Sequence, residues 1–137
     1  MKAASSFLMA LAYLGAISFG VRFYLTQEYM PYHAQAAGKS WNEVDPRLKP
    51  VFIVLMRVLA GGTLGVGLAG LWMTFLWYQG LPLPVLLVAL PGLVLGLVSL
   101  QAVFLLKAAG GRDAPLAQIG GLVAMAVVAL VLGFLSA

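Results

Sequence analysis

Hydrophobic and polar positions divide this chain into four long apolar runs, one long polar loop and two short turns. The first run extends from Ala3 to Val21, between Lys2 and Arg22. The second begins at Val51 and reaches Trp77, interrupted only by Arg57. The third and fourth cover Leu83–Leu106 and Pro115–Leu135. About 20 apolar residues in a helix cross the roughly 30 Å of bilayer hydrocarbon. The pattern therefore predicts an all-α, four-helix transmembrane bundle forming one domain, with spans at about 3–25, 51–78, 83–106 and 115–135. Lys2 followed by an apolar core is also how a secretory signal begins. This run is long for such a core, and Arg22-Phe23-Tyr24 follows where small residues would mark cleavage, so we read it as a retained span.

The loop at 27–50 is the one place where polar groups gather. Pro31 stops the first helix. Tyr32–Ala37 is helix-permissive and ends at Gly38, a C-cap residue. Ser40-Trp41-Asn42-Glu43 has capping-box form, and Asp45-Pro46 is a second helix-start signal. These signals predict short helical turns in an ordered loop. Tyr24, Tyr29, Tyr32 and Trp41 at one end, and Trp72, Phe75, Trp77 and Tyr78 at the other, suit the headgroup region. The uncharged Gln79–Pro84 turn makes the second and third spans antiparallel neighbours. Pro91 is expected to kink the third.

Composition agrees with this layout. The chain has 137 residues, of which 63% are hydrophobic and 9% charged, and its mean hydropathy is +1.03. Soluble domains are about a quarter charged. The net charge of +4 comes from dispersed residues, which argues against nucleic acid and for contact with anionic membrane lipids. No cysteine is present, so disulfides and thiolate metal sites are excluded. Lys39, Arg47, Lys49, Lys107 and Arg112 fall on one side of a four-span layout, and Lys2 on the other. The positive-inside rule then puts both polar loops in the cytoplasm and both termini outside. A bacterial inner membrane is the expected location.

Small residues recur at four-residue spacing, the pattern that lets membrane helices approach closely. The expected packing positions are Gly20 (in a row with Ala12 and Ala16), Gly61, Gly65, Gly92, Gly96, Gly121 and Gly133. Such rows on every span point to lateral association, as a homo-oligomer or within a larger membrane complex. Candidate ligand-binding residues are Arg22 and Arg57, ionisable groups at span ends, with Glu28, His33, Trp41 and Asp45 from the loop. Snorkelling anchors, ion-paired with Glu28 and Asp45, are the structural alternative for the two arginines. His33 is the only group that titrates near neutrality when unperturbed, and a loop hydrogen bond accounts for it without any ligand. Thr63, Ser99, Gln101 and Gln118 either line a polar path or bond between helices.

No Walker loop, nucleophile elbow, H-E-x-x-H or dinucleotide fingerprint occurs, so no cofactor or metal is expected. An enzyme is the least supported class, with Glu28, His33 and Asp45 its only cluster. The sequence favours a non-catalytic accessory or assembly subunit. Alternatives are a binder or carrier of a lipid, quinone or other apolar small molecule at the bundle mouth, and a small oligomeric transporter or channel. The predicted orientation is checked by cysteine labelling. A membrane-impermeant maleimide applied from outside is expected to label Ala137→Cys and spare Arg112→Cys, and the reverse pattern inverts the topology.

Overall fold

In the computed structural model, which describes residues 1–136, the chain forms five α-helices. They are α1 (Lys2–Leu25), α2 (Pro31–Ala37), α3 (Lys49–Tyr78), α4 (Val85–Ala108) and α5 (Leu116–Phe134). All but α2 are long and apolar enough to cross a membrane. Ala137, the labelling position above, lies outside the described residues. At 1.5 Å per residue, α3 is about 45 Å long, more than the roughly 30 Å of a bilayer's hydrocarbon. Arg57 therefore lies within a continuous helix, on an exposed face.

Local signals set the boundaries. The Thr26 amide and hydroxyl both donate to the Arg22 carbonyl, at 3.1 and 2.9 Å, and close α1. Pro31 opens α2, and Gly38, at φ +64°, ends it in the left-handed conformation that glycine adopts without strain. Ser40 donates through both its amide and its hydroxyl to Glu43 Oε2, each at 2.7 Å, which folds Trp41–Glu43 into a single 3₁₀ turn. Asp45 caps the Arg47 amide at 2.8 Å, but a turn intervenes before α3 starts at Lys49.

The four long helices stand in a ring. α1 packs against α3 and α5, α4 packs against the same two, and α1 and α4 face each other across the diagonal. The tight end of the ring carries the start of α1, the end of α5 and the Gln79–Pro84 turn. There Met9, Trp77, Val85, Val88, Ala89 and Ala129 form one buried cluster. Ser5 Oγ donates to the Ala129 carbonyl at 2.6 Å, and Gly133 admits Val85. Trp77, expected at the interface, is only 7% exposed. Trp72, Phe75 and Tyr78 are the aromatic residues that face outward there, with the first two stacked at 5.6 Å.

Tyr13 sits at the middle of the ring and joins three helices. Its ring fills the space left by Gly70 of α3 and Gly92 of α4, where added side chains would overlap it. Its hydroxyl donates to the Val88 carbonyl at 2.5 Å and accepts from the Gly92 amide at 3.3 Å. Those two backbone groups are helical partners of one another, four residues apart, and the amide that Pro91 lacks would have paired with the Leu87 carbonyl on the neighbouring rung. The phenol thus bridges the helix ladder one rung from the bond that proline removes.

The expected packing positions fall into two sets. Gly20 meets Leu64, Gly92 meets Tyr13, Gly96 meets Val123 and Gly133 meets Val85 within the bundle. Gly61, Gly65 and Gly121 face open space and pack against nothing in the bundle. Gly15, Gly67 and Gly70 make further close approaches between long helices, to Leu122, Ile17 and Tyr13, and Gly111 in the α4–α5 turn lies against the Leu106 and Tyr32 carbonyls. The four-residue spacing is the same for both sets, and only the rotation of α3 about its axis decides which row points inward. Replacing Gly70 by Leu should therefore lower thermal stability in detergent by several degrees, whereas Gly65→Leu should leave it unchanged. Tyr13→Phe should cost about 1–2 kcal/mol, the range for losing a buried interhelical hydrogen bond. Equal melting of the two leucine variants would refute the assigned rotation.

Candidate functional site: an apolar cavity under α2

Away from the tight end the ring loosens, and a cavity of about 310 Å³ lies between α1 and α4. Its floor is Met9, Tyr13 and Ala89. Small side chains on facing helices make the room: Ala12 and Ala16 on α1, and Gly92, Gly96 and Ala102 on α4. Phe19, Val103, Leu122, Val123 and Ala126 complete an apolar wall. Leu59 and Thr63 of α3 line it too, and Leu59, Val98 and Ala102 are exposed, so the space is not sealed. Its volume is at the lower end of small-molecule sites, which are concave and mainly apolar with a few placed polar groups.

The roof is built from the polar loop. Phe23, Tyr32, His33, Leu106 and Pro115 close the end opposite Tyr13. Short α2 is held over the cavity from both sides. Gln35 Nε2 donates to the Asp113 carboxylate, and the Asp113 amide returns a bond to Gln35 Oε1 at 3.1 Å. The Tyr29 hydroxyl donates to the Lys39 carbonyl. A knot of rings surrounds His33, with Phe23, Tyr29 and Tyr32 all edge-on to it, the last at 4.5 Å.

Electrostatics at the roof favour neutral groups. His33 Nδ1 accepts the Met30 amide at 3.3 Å, the cap that starts α2. With Nδ1 accepting, the neutral ring carries its proton on Nε2. Burial pulls the His33 pKa below its ordinary value, because the charged form loses hydration. Burial likewise pushes the Tyr32 phenol up to about 12. Both are uncharged hydrogen-bond donors at pH 7. Glu43, outside the cavity, is held below the usual carboxylate range by its bonds from Ser40.

Of the candidate ligand-binding residues Arg22, Glu28, His33, Trp41, Asp45 and Arg57, His33 alone lines the cavity. Arg22 and Arg57 are exposed on α1 and α3. The expected ion pairs with Glu28 and Asp45 do not form: Asp45 is occupied by the Arg47 amide, and Glu28 is exposed. Trp41 lies beside the site, edge-on to Tyr29 at 5.0 Å with the Lys49 ammonium 5.6 Å over its ring. Thr63 and Ser99 line the cavity as the polar-path reading anticipates, but Gln101 and Gln118 are exposed. Tyr13, Phe19 and Tyr32 went unnominated. A phenol in mid-span, which must find a partner where water is scarce, was the available signal for Tyr13. Among the described residues no cluster of three His, Asp or Glu side chains could hold a metal. No protein-family model, curated protein or solved structure matches the chain.

The lowered His33 pKa makes the seating of α2 pH-dependent. A depressed folded-state value means the detached lid binds more protons than the seated one, so stability rises with pH. The His33 contribution to seating is fully present above the ordinary histidine value of about 6.5 and is lost as pH falls through the lowered one. Glu43 acts in the same direction, but only below its own ordinary range. The protection factors of the Tyr32–Ala37 amides, corrected for the intrinsic slowing of exchange in acid, are therefore expected to fall between pH 7 and pH 5, and His33→Phe should flatten that change. An equally steep profile in the variant would assign the effect to another group.

Proposed function

We propose that this protein is a small integral membrane protein that binds one apolar, lipid-soluble molecule, such as a lipid or quinone, with α2 as the lid of the site. The cavity between α1 and α4 carries the reading. A bundle of this size gains most by closing on itself, and burying apolar side chains in place of the void would add contacts at every wall. The volume is instead maintained by alanines and glycines on facing helices, under a roof fixed by its own hydrogen bonds. Among the described residues no hydrogen bond joins His33 to the Thr63, Ser99 or Tyr32 hydroxyls that share the lining, which favours binding over bond-breaking. On the positive-inside orientation, the lid lies at the cytoplasmic surface.

A second reading, association with another membrane chain, is favoured by one observation. Gly61, Gly62, Gly65 and Ala69 form an exposed small-residue face on α3 that no part of the bundle covers. It is compatible with the first, because that face and the cavity mouth are on different sides of the helix.

Native mass spectrometry of the detergent-extracted protein tests both. The wild-type chain should carry a non-covalent apolar adduct. Ala102→Trp, which fills the cavity from an exposed lining position, should melt normally and carry none. A bare wild-type monomer would count against both readings, and a bare oligomer against the first alone.

A further inference from the structure

The polarity of the cavity runs in one direction, and that restricts the head of its occupant. At the floor, the Tyr13 hydroxyl is already committed both as donor and as acceptor. The deep end therefore offers a ligand only apolar surface. Midway, Thr63 gives its proton to the Leu59 carbonyl at 2.9 Å, and Ser99 is the one mid-wall hydroxyl without a protein acceptor among the described residues. At the roof the situation reverses. His33 engages only its Nδ1, and among the described residues no protein acceptor takes the His33 Nε2–H or the Tyr32 hydroxyl. No lysine, arginine, aspartate or glutamate is among the lining residues. An ionised head held inside would lose its hydration with no opposite charge to replace it, a far larger penalty than burying a neutral acceptor that finds a donor.

We propose that the occupant has a neutral carbonyl head, accepting from His33 Nε2–H and the Tyr32 hydroxyl, and an apolar tail directed towards Tyr13. This rests on the cavity reading above and adds the class of ligand. Carbonyls of this kind come from quinone rings or from the esters of neutral glycerides, and both place a flat acceptor beside a long hydrocarbon. The two donors come from one short helix, and their ring centroids lie 4.5 Å apart. They also explain why the lid is held so firmly by Gln35 and Tyr29, since a misplaced donor pair would forfeit the contact.

Displacement of Nile red from the purified protein in detergent tests this with three probes: decylubiquinone, dioctanoylglycerol and n-decylbenzene. At least one carbonyl probe should compete about tenfold better than decylbenzene, the factor expected of one or two neutral hydrogen bonds. Tyr32→Phe, which removes one oxygen, should shrink that advantage several-fold and leave decylbenzene unchanged, and His33→Leu should do the same. Superior competition by decylubiquinone would identify a ring carbonyl, and by dioctanoylglycerol an ester. Equal competition by all three probes, or an advantage that survives both substitutions, would overturn the carbonyl head while leaving the cavity reading intact. Nile red that binds Ala102→Trp as well as wild type, with no probe displacing it, would overturn the cavity reading itself.

Discussion

The bond pair made by the Tyr13 hydroxyl is the constraint on which the rest of this structure depends. In a hydrocarbon surrounding, a backbone carbonyl or amide without a partner costs several kcal/mol, and water cannot supply one. Pro91 removes the amide that would pair with the Leu87 carbonyl of α4. The phenol of α1 bridges Val88 and Gly92 on the next rung. To reach them its ring must cross the centre of the ring of helices, which requires that Gly70 and Gly92 carry no side chains. A tyrosine and two glycines on three helices thus specify one another, one rung from the proline.

That crossing also divides the molecule. On the side of the N-terminus, the large side chains of Met9, Trp77 and Val85 pack into one buried cluster. On the loop side, Ala12, Ala16, Gly96 and Ala102 face one another without filling the gap. Tyr13 is the partition, buried and with its polar atom satisfied, so the cavity above it has a dry floor. The loop supplies the ceiling. Because α2 is too short to be stable alone, its position comes from Gln35, Tyr29 and the rings around His33. Order in this loop and the shape of the cavity are therefore one property.

The site was only partly legible in the sequence. His33 stood out because it is unique and titratable, and it does line the cavity. Arg22 and Arg57 stood out for their charge, yet both sit on outward faces where a charged head keeps its water. The residues that shape the cavity are alanines and glycines, and in a sequence a small residue that makes room reads the same as one that lets helices touch. Gly92 and Gly96 in fact do both, lining the space while admitting Tyr13 and Val123.

By itself the sequence determined the number of long helices, their approximate ends, the ordered loop with its Gly38 and Ser40–Glu43 punctuation, and the concentration of polar chemistry there. Those features depend on hydrophobic length and on interactions between residues a few positions apart. The tertiary structure alone decided which glycine row of α3 faces inward, that Trp77 is core and not interface, and that Tyr13 meets α4 at Pro91. Each of these depends on how a helix is rotated about its axis. In a chain apolar on nearly every side, the hydrophobic pattern carries almost no record of that angle, because lipid accepts the outer face as readily as protein accepts the inner one.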